Sequence, residues 1–410
     1  MWLLAAGVAG AAPSRPVPSM TAPSTAVPSK TAPHKAVPEA APSKTPPSAM
    51  TASIELPASL ASSWEQLSSI LTDALNLQDK QETLPESSYF GADKVSNAKK
   101  INALLDEAVE ILVQGDASDL RRQAIQLRDE DLPALRRELD DLRNKRIAAP
   151  ESSKLPWLKT RPKIEARIAE LDVEIKEKER LVADIDGEIA EALREMGLDL
   201  DDKQIEILLT SVTGDDLFQN TVVFANVKHV VEKLAELSRE DRDNLEISRR
   251  YTGMYLVLND VLIATQEELI EKIDTDYKPR LAALKAEAEK LRAEALDRAR
   301  QGQYTKTQKE AFEVNAKANA MTVRVAELYT ELLEGQRKSF RLSLADLRRN
   351  RDVAENTYKT VRSTGDLRNL IRKGLDLFDS IQTLSMPQLQ PFENEAIRKE
   401  FEEINKRLRK

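Results

Sequence analysis

Residues 164–196 read IEARIAELDVEIKEKERLVADIDGEIAEALREM. Ile164, Ile168, Leu171, Ile175, Lys178, Val182, Ile185, Ile189, Ala192 and Met196 follow one another in steps of four and three. Nine of these ten positions are apolar, and Lys178 is the exception. A strand would alternate with a period of two, whereas a mean step of 3.5 keeps one seam of an α-helix facing a partner. The segment is therefore read as one arm of a coiled coil or helical bundle, with Ile168, Leu171, Ile175, Val182, Ile185 and Ile189 at its seam. Asp172–Lys176 and Glu174–Lys178 are spaced to pair along its outer surface.

Working outward, residues 150–162 read PESSKLPWLKTRP, and three prolines in that span make it a loop. Before it, Leu132, Leu135, Leu139 and Leu142 keep the same spacing. The simplest fold for 116–200 is a helical hairpin with Trp157 at its tip. Asp131 is expected to cap a helix restart ahead of Pro133, or the proline to kink a continuous helix. On the N-terminal side, helices are expected near 58–77 and 96–113, with Gly115 in a left-handed position closing the second.

After the arm, Gly197 is a stop, and Asp201 or Asp202 starts a short helix. Segments 217–237 and 243–275 carry apolar faces too wide for a two-stranded seam, which places them in the buried centre of a bundle. Pro279 starts or kinks a helix bearing Leu281, Leu284, Ala288, Leu291 and Ala295 at heptad spacing. A turn at 301–304 and a Thr305–Gln308 capping box open a return helix with Met321, Val325, Leu328 and Leu332, which runs to about Val361. Gly365-Asp366 precedes a further helix, and Pro387 and Pro391 a last charged one.

The expected fold is all-α: an elongated helical bundle with coiled-coil hairpins, preceded by a disordered proline-rich segment. Its divisions are 1–11 leader, 12–57 spacer, 58–115 N-terminal helices, 116–200 hairpin, 201–278 apolar core, 279–384 second hairpin and following helix, and 385–410 charged C-terminal helix. The composition agrees, with 41% apolar and 32% charged residues and only 12 glycines in 410.

The first residues carry information of another kind. Trp2 to Val8 is apolar and Ala9-Gly10-Ala11 is a small-residue cleavage pattern, although no Lys or Arg precedes it. This reads as a signal peptide cut before Ala12. The stretch is shorter than the about 20 residues that span a bilayer, and no transmembrane segment is expected elsewhere. Prolines 18, 23, 28, 33 and 38 then recur every five residues within a ten-residue unit, Val17–Ala26 and Val27–Ala36. Proline fixes φ and removes amide donors, so an extended spacer is expected, reaching at most roughly 140 Å at about 3.1 Å per residue.

The pattern of chemistry-bearing residues is sparse. No phosphate loop, nucleophile turn or H-E-x-x-H occurs. The absence of cysteine excludes disulfides, thiol catalysis and cysteine-ligated metals. Only His34 and His229 exist, and His229 among valines is read as a partly buried structural residue. Asp199, Asp201 and Asp202 lack the glycine and terminal glutamate of a calcium loop and are read as capping residues. No catalytic residue, metal or cofactor is assigned.

Against a net charge of −8, residues 337–373 hold eleven basic and four acidic residues. This leaves Arg337, Arg341, Arg348, Arg349 and Arg351 as a candidate surface for an anionic lipid, a cell-wall polymer or an acidic partner. Pairing with acidic neighbours is the structural alternative. Nucleic acid is not expected as a partner at this overall charge. The functional expectation is an exported, non-enzymatic scaffold or adaptor of a bacterial envelope, periplasmic or secreted. Its helical arms would bind an envelope protein or a second copy of the chain. The alternatives are a secreted helical toxin subunit, or a cytosolic coiled-coil organiser if the leader is false.

Overall fold

In a computed structural model of the protein, residues 55–88, 91–152, 160–211, 213–240 and 244–363 are described, with Phe378, Phe401 and Ile404. The leader, the spacer up to residue 54, the Trp157 tip and the elements expected after Ser363 lie outside the described residues, apart from those three positions. The chain divides after Thr51, and every described residue belongs to the second unit, Ala52–Lys410.

The described residues form α-helices and no strand. The order is α1 (Ala58–Gln81), α2 (Lys94–Leu112), α3 (Asp116–Ile125), α4 (Leu132–Ala148), α5 (Arg161–Glu195), α6 (Asp202–Thr210), α7 (Gly214–Glu240), α8 (Leu245–Lys272), α9 (Lys278–Arg300) and α10 (Lys306–Ser363). Several starts are fixed by side chains that accept orphan amides. Asp93 and Ser96 form a capping box on α2, Asp201 and Gln204 one on α6. Asn244 Oδ1 accepts from Glu246 and Ile247 at the head of α8. The expected Thr305–Gln308 box opens α10, with bonds of 3.0 and 3.3 Å.

Two expectations about breaks are corrected. Gly115 does have positive φ, but at +137° and ψ 176° it is the residue entering α3 rather than a left-handed stop on α2. A Cβ there would sit 3.1 Å from Ser59 Oγ. Of the two readings at Pro133, the cap is the one that fails: the Asp131 backbone is helical and caps nothing, and a continuous helix runs from α3 into α4 through a π-turn over 126–131. A second π-turn over 273–277 joins α8 to α9. Both π-turns end two residues before a proline, Pro133 and Pro279. A proline ring clashes with the carbonyl four residues earlier, and here that carbonyl belongs to a widened turn that gives it room. The helices continue through both prolines for that reason.

Two apolar cores are built on this frame. One joins α1, α2, α7, α8 and the far end of α10 around Leu67, Leu71, Val227, Tyr255 and Leu258. The other joins α3 to α7, the α8–α9 junction and the middle of α10 around Leu171, Ile189, Leu208, Leu217 and Tyr329. Helix α7 is the shared wall. Leu217, Phe218 and Val222 enter one core, while Val223, Phe224, Val230 and Leu234 enter the other. A helix buried on two faces needs apolar residues nearly all round, as the sequence of 217–237 has. Gly253 of α8 permits the closest packing in the first core, because a Cβ there would collide with the Leu75 side chain and press on the Tyr358 ring at 3.1 Å.

α4 and α5 pack together, as do α9 and α10. Ile164, Ile168, Leu171, Ile175, Val182, Ile185 and Ile189 are all buried. Lys178 does not pair with Glu174 along the helix, as its spacing suggested, but donates across to Asp131 at 2.7 Å. Beyond Ile189 the buried position is Leu193, with Ala192 and Met196 only partly covered. A straight helix drifts relative to a seven-residue repeat, and the seam moves one residue along. The same drift exposes Met321 and buries Thr322 and Val325 on α10. On α9, Leu281, Ala288 and Ala295 are buried but Leu291 is exposed.

Candidate functional site

The five candidate arginines lie on α10, and the structure brings four of them, Arg337, Arg341, Arg348 and Arg351, against α8 and its π-turn. Arg351 Nε meets Asp260 at 2.7 Å and Arg348 meets Glu267 at 2.5 Å. Arg337 reaches Asp274 at 2.6 Å and Arg341 reaches the same carboxylate at 3.5 Å. Arg349 pairs with Asp346 on its own helix. Each of the five is thus paired with an acidic side chain. Asp260, Glu267 and Asp274 stand seven residues apart and face α10 as an antiparallel ladder. The outer side chains of Arg341, Arg348 and Arg349 remain more than half exposed, and exposed pairs of this kind contribute about 0–1 kcal/mol each.

The inner end of the ladder opens onto a cavity of about 530 Å³ between α1, α2, α8 and α10. Asp260 is its most buried carboxylate; it accepts from Arg351 and, at 2.8 Å, from Gln78 Nε2. Burial pushes its carboxyl above the usual range, and the Arg351 guanidinium opposes this without cancelling it. Around the rim, Asp79 accepts from the Tyr358 hydroxyl at 3.0 Å and from Arg362 at 2.6 Å. Burial and that carboxylate raise the Tyr358 phenol to about 12. Lys359 bridges Glu82 and Glu355. The charges around the rim are thus matched to one another, an arrangement that fastens α10 to α1 and α8.

A second polar cluster had no sequence signal. Arg121, almost fully buried, donates to the Leu209 carbonyl at 2.8 Å and to Asp215 at 2.6 Å. Arg128 donates to the same carbonyl at 2.9 Å and pairs with Asp186. Two guanidinium groups thus satisfy the open C-terminal end of α6, where the helix dipole is negative. Burial still pushes the Asp186 carboxyl up, against the pull of Arg128 and Arg121. Asp201 and Asp202, read as capping residues, are occupied: Asp201 in its box and Asp202 with Arg194 at 2.9 Å. Among the described residues no group of three His, Asp or Glu side chains is placed to hold a metal ion.

His229 sits on α7, partly buried, with no partner for Nδ1. It lines a cavity of about 360 Å³ where the N-termini of α1 and α3 meet the C-terminal end of α5. Desolvation lowers its pKa below 6.5, with Glu232 pulling weakly the other way. A proton then binds the unfolded state more readily than the folded one. The contribution of His229 to stability is full above its unfolded pKa and is lost as pH falls through the folded value. Wild type is therefore expected to lose stability relative to His229→Gln between about pH 7 and 5. Urea titrations of both proteins across that range check this, and parallel curves would refute it.

The chain matches no family model, no curated protein and no solved structure.

Proposed function

We propose that the chain is an exported, non-enzymatic helical scaffold or adaptor of a bacterial cell envelope, acting through protein–protein contacts of its hairpin arms. The observation that carries this reading is where apolar surface remains. Of nine large apolar side chains left exposed among the described residues, eight lie on the four helices of the two hairpins: Ile147, Val173 and Leu181 on α4 and α5, Leu291, Val314, Met321, Leu342 and Val353 on α9 and α10. None lies on α6, α7 or α8. Single exposed aliphatics are ordinary, but their concentration on two arms fits surfaces that meet another helix, with the coiled-coil seams holding each arm straight. The apolar stretch Trp2–Val8 and the proline repeat support export and reach.

The test places a photo-crosslinking residue at Val314 or Leu181, with Glu294 as an exposed polar control. Discrete adducts from the two arm positions are expected in the extracytoplasmic fraction, from a chain whose mass begins at Ala12. An intact Met1 terminus on cytosolic protein removes export. Equal adducts from Glu294, which lies on α9, remove the exposed aliphatics as the contact surface.

A further inference from the structure

The two hairpins leave two helical rows uncovered, and the rows are opposite in charge. On α5 a second row runs six residues beyond the buried seam: Glu177, Leu181, Asp184, Glu188, Glu191 and Glu195, in steps of four and three. Six residues turn a helix through about 600°, which sets this row about 120° round from the seam. All six residues are exposed, Leu181 at 42%. None of the five carboxylates has an ion-pair partner among the described residues. Lys178 and Arg194 are engaged by Asp131 and Asp202, which leaves Arg180 as the one unpaired base of 177–195. Like charges three and four residues apart repel one another, and a basic helix laid along the row relieves this.

Such a helix is present in the same chain. On α10, Lys338, Leu342, Ala345 and Arg349 are exposed in steps of four, three and four. Lys338, Leu342 and Arg349 each stand two residues beyond a buried one, Gln336, Phe340 and Leu347, which is about 200° round the helix and so faces away from the bundle. Leu342 is 62% exposed. Arg341 and Arg348, more than half exposed, flank the row, which stays basic up to Asp352. Lys338 has no ion-pair partner among the described residues, and Arg349 has only Asp346 on its own helix. The spacing of the two rows is the same. Glu177, Leu181, Asp184 and Glu188 place acids at both ends of a leucine-bearing row, and Lys338, Leu342, Ala345 and Arg349 place bases at both ends of another. Steps of four, three and four read alike in either direction. Whether the helices run parallel or antiparallel, each acidic end meets a basic end, and Leu181 meets Leu342 or Ala345. Both rows are exposed, so neither answers the other within one chain.

We propose that the outer face of α10 is a docking site for the outer face of α5 of a second copy of this chain. The inference rests on the reading of the hairpins as contact surfaces and names their partner. It is tested by sedimentation of the full chain over a concentration series in about 0.1 M and about 1 M sodium chloride, between which the screening length falls from about 10 Å to about 3 Å. Wild type is expected to self-associate reversibly, at least about tenfold more weakly at the higher salt. Glu177→Lys with Glu188→Lys makes both rows basic, and Lys338→Glu with Arg349→Glu makes both acidic. Each double variant is expected to be monomeric alone, because like charges then face each other. Mixed, the two are expected to associate again, since the altered row of each suits the unaltered row of the other. All four positions are exposed, so melts close to wild type are expected for both variants. A wild type that stays monomeric up to about 100 µM overturns the proposal. So does association that is retained by either double variant, or a mixture of the folded variants that stays monomeric. A monomeric wild type that still gives the crosslinks from Val314 and Leu181 leaves the arms as contact surfaces and assigns them to a different partner.

Discussion

Ile185→Asp is expected to destabilise the protein by about 4 kcal/mol or more, the sum of a lost buried aliphatic and a buried carboxylate without a partner. Ile185 is 3% exposed at the α4–α5 seam, inside the larger apolar core. Leu181, one turn earlier on the same helix, is 42% exposed and provides an internal control. Leu181→Asp has the same chemistry and nearly the same helix propensity cost, and should change stability by about 0.5 kcal/mol or less. Denaturant titrations with circular dichroism would show the contrast directly. If both substitutions cost the same, the packing of α5 against its neighbours is not what holds the arm.

The second large effect is expected at the inner end of the α8–α10 ladder. Asp260→Ala leaves the Arg351 guanidinium in a partly buried site with only Glu355 as a near carboxylate, and removes the acceptor for Gln78. Breaking a buried pair from one side costs about 3–5 kcal/mol. Arg351→Met should cost a similar amount, because it strands Asp260 instead. The double replacement Asp260→Leu with Arg351→Met should cost much less than the sum, since an apolar pair of similar volume needs no desolvation of charge. Arg348→Gln and Arg349→Gln, whose side chains are 59% and 69% exposed, should each fall within about 0.5 kcal/mol of wild type. A double-mutant cycle read from urea titrations measures the coupling, and strict additivity of Asp260 and Arg351 would mean that the ladder does not join the helices.

Much of the architecture was legible because it is periodic. The steps of four and three from Ile164 to Ile189 named the buried face of α5 residue by residue. Thr305 and Gln308 named the start of α10, and the near-continuous apolar run of 217–237 named the central helix. These signals are local: a helix repeats every 3.6 residues, and a cap acts within one turn. The prolines misled at Asp131, because a π-turn accommodates what an α-turn cannot and leaves no mark in composition.

The polar features escaped for a different reason. Asp260, Glu267 and Asp274 sit at intervals of seven, yet their arginines lie 63 to 91 residues away. Scanning for carboxylates near Arg348 could not find partners whose register is set by the length of the α9–α10 turn. The Leu209 carbonyl that gathers Arg121 and Arg128, and the cavity around Asn226 and His229, are each assembled from several helices. The sequence alone therefore determined that the described residues are helical, where α9 turns into α10 and which stripes are buried, because hydrophobic burial follows the period of one helix at a time. The tertiary structure alone decided which charges meet and which acceptors stay empty, because a Coulomb pair or a hydrogen bond depends on atoms brought within about 4 Å, whatever their separation along the chain.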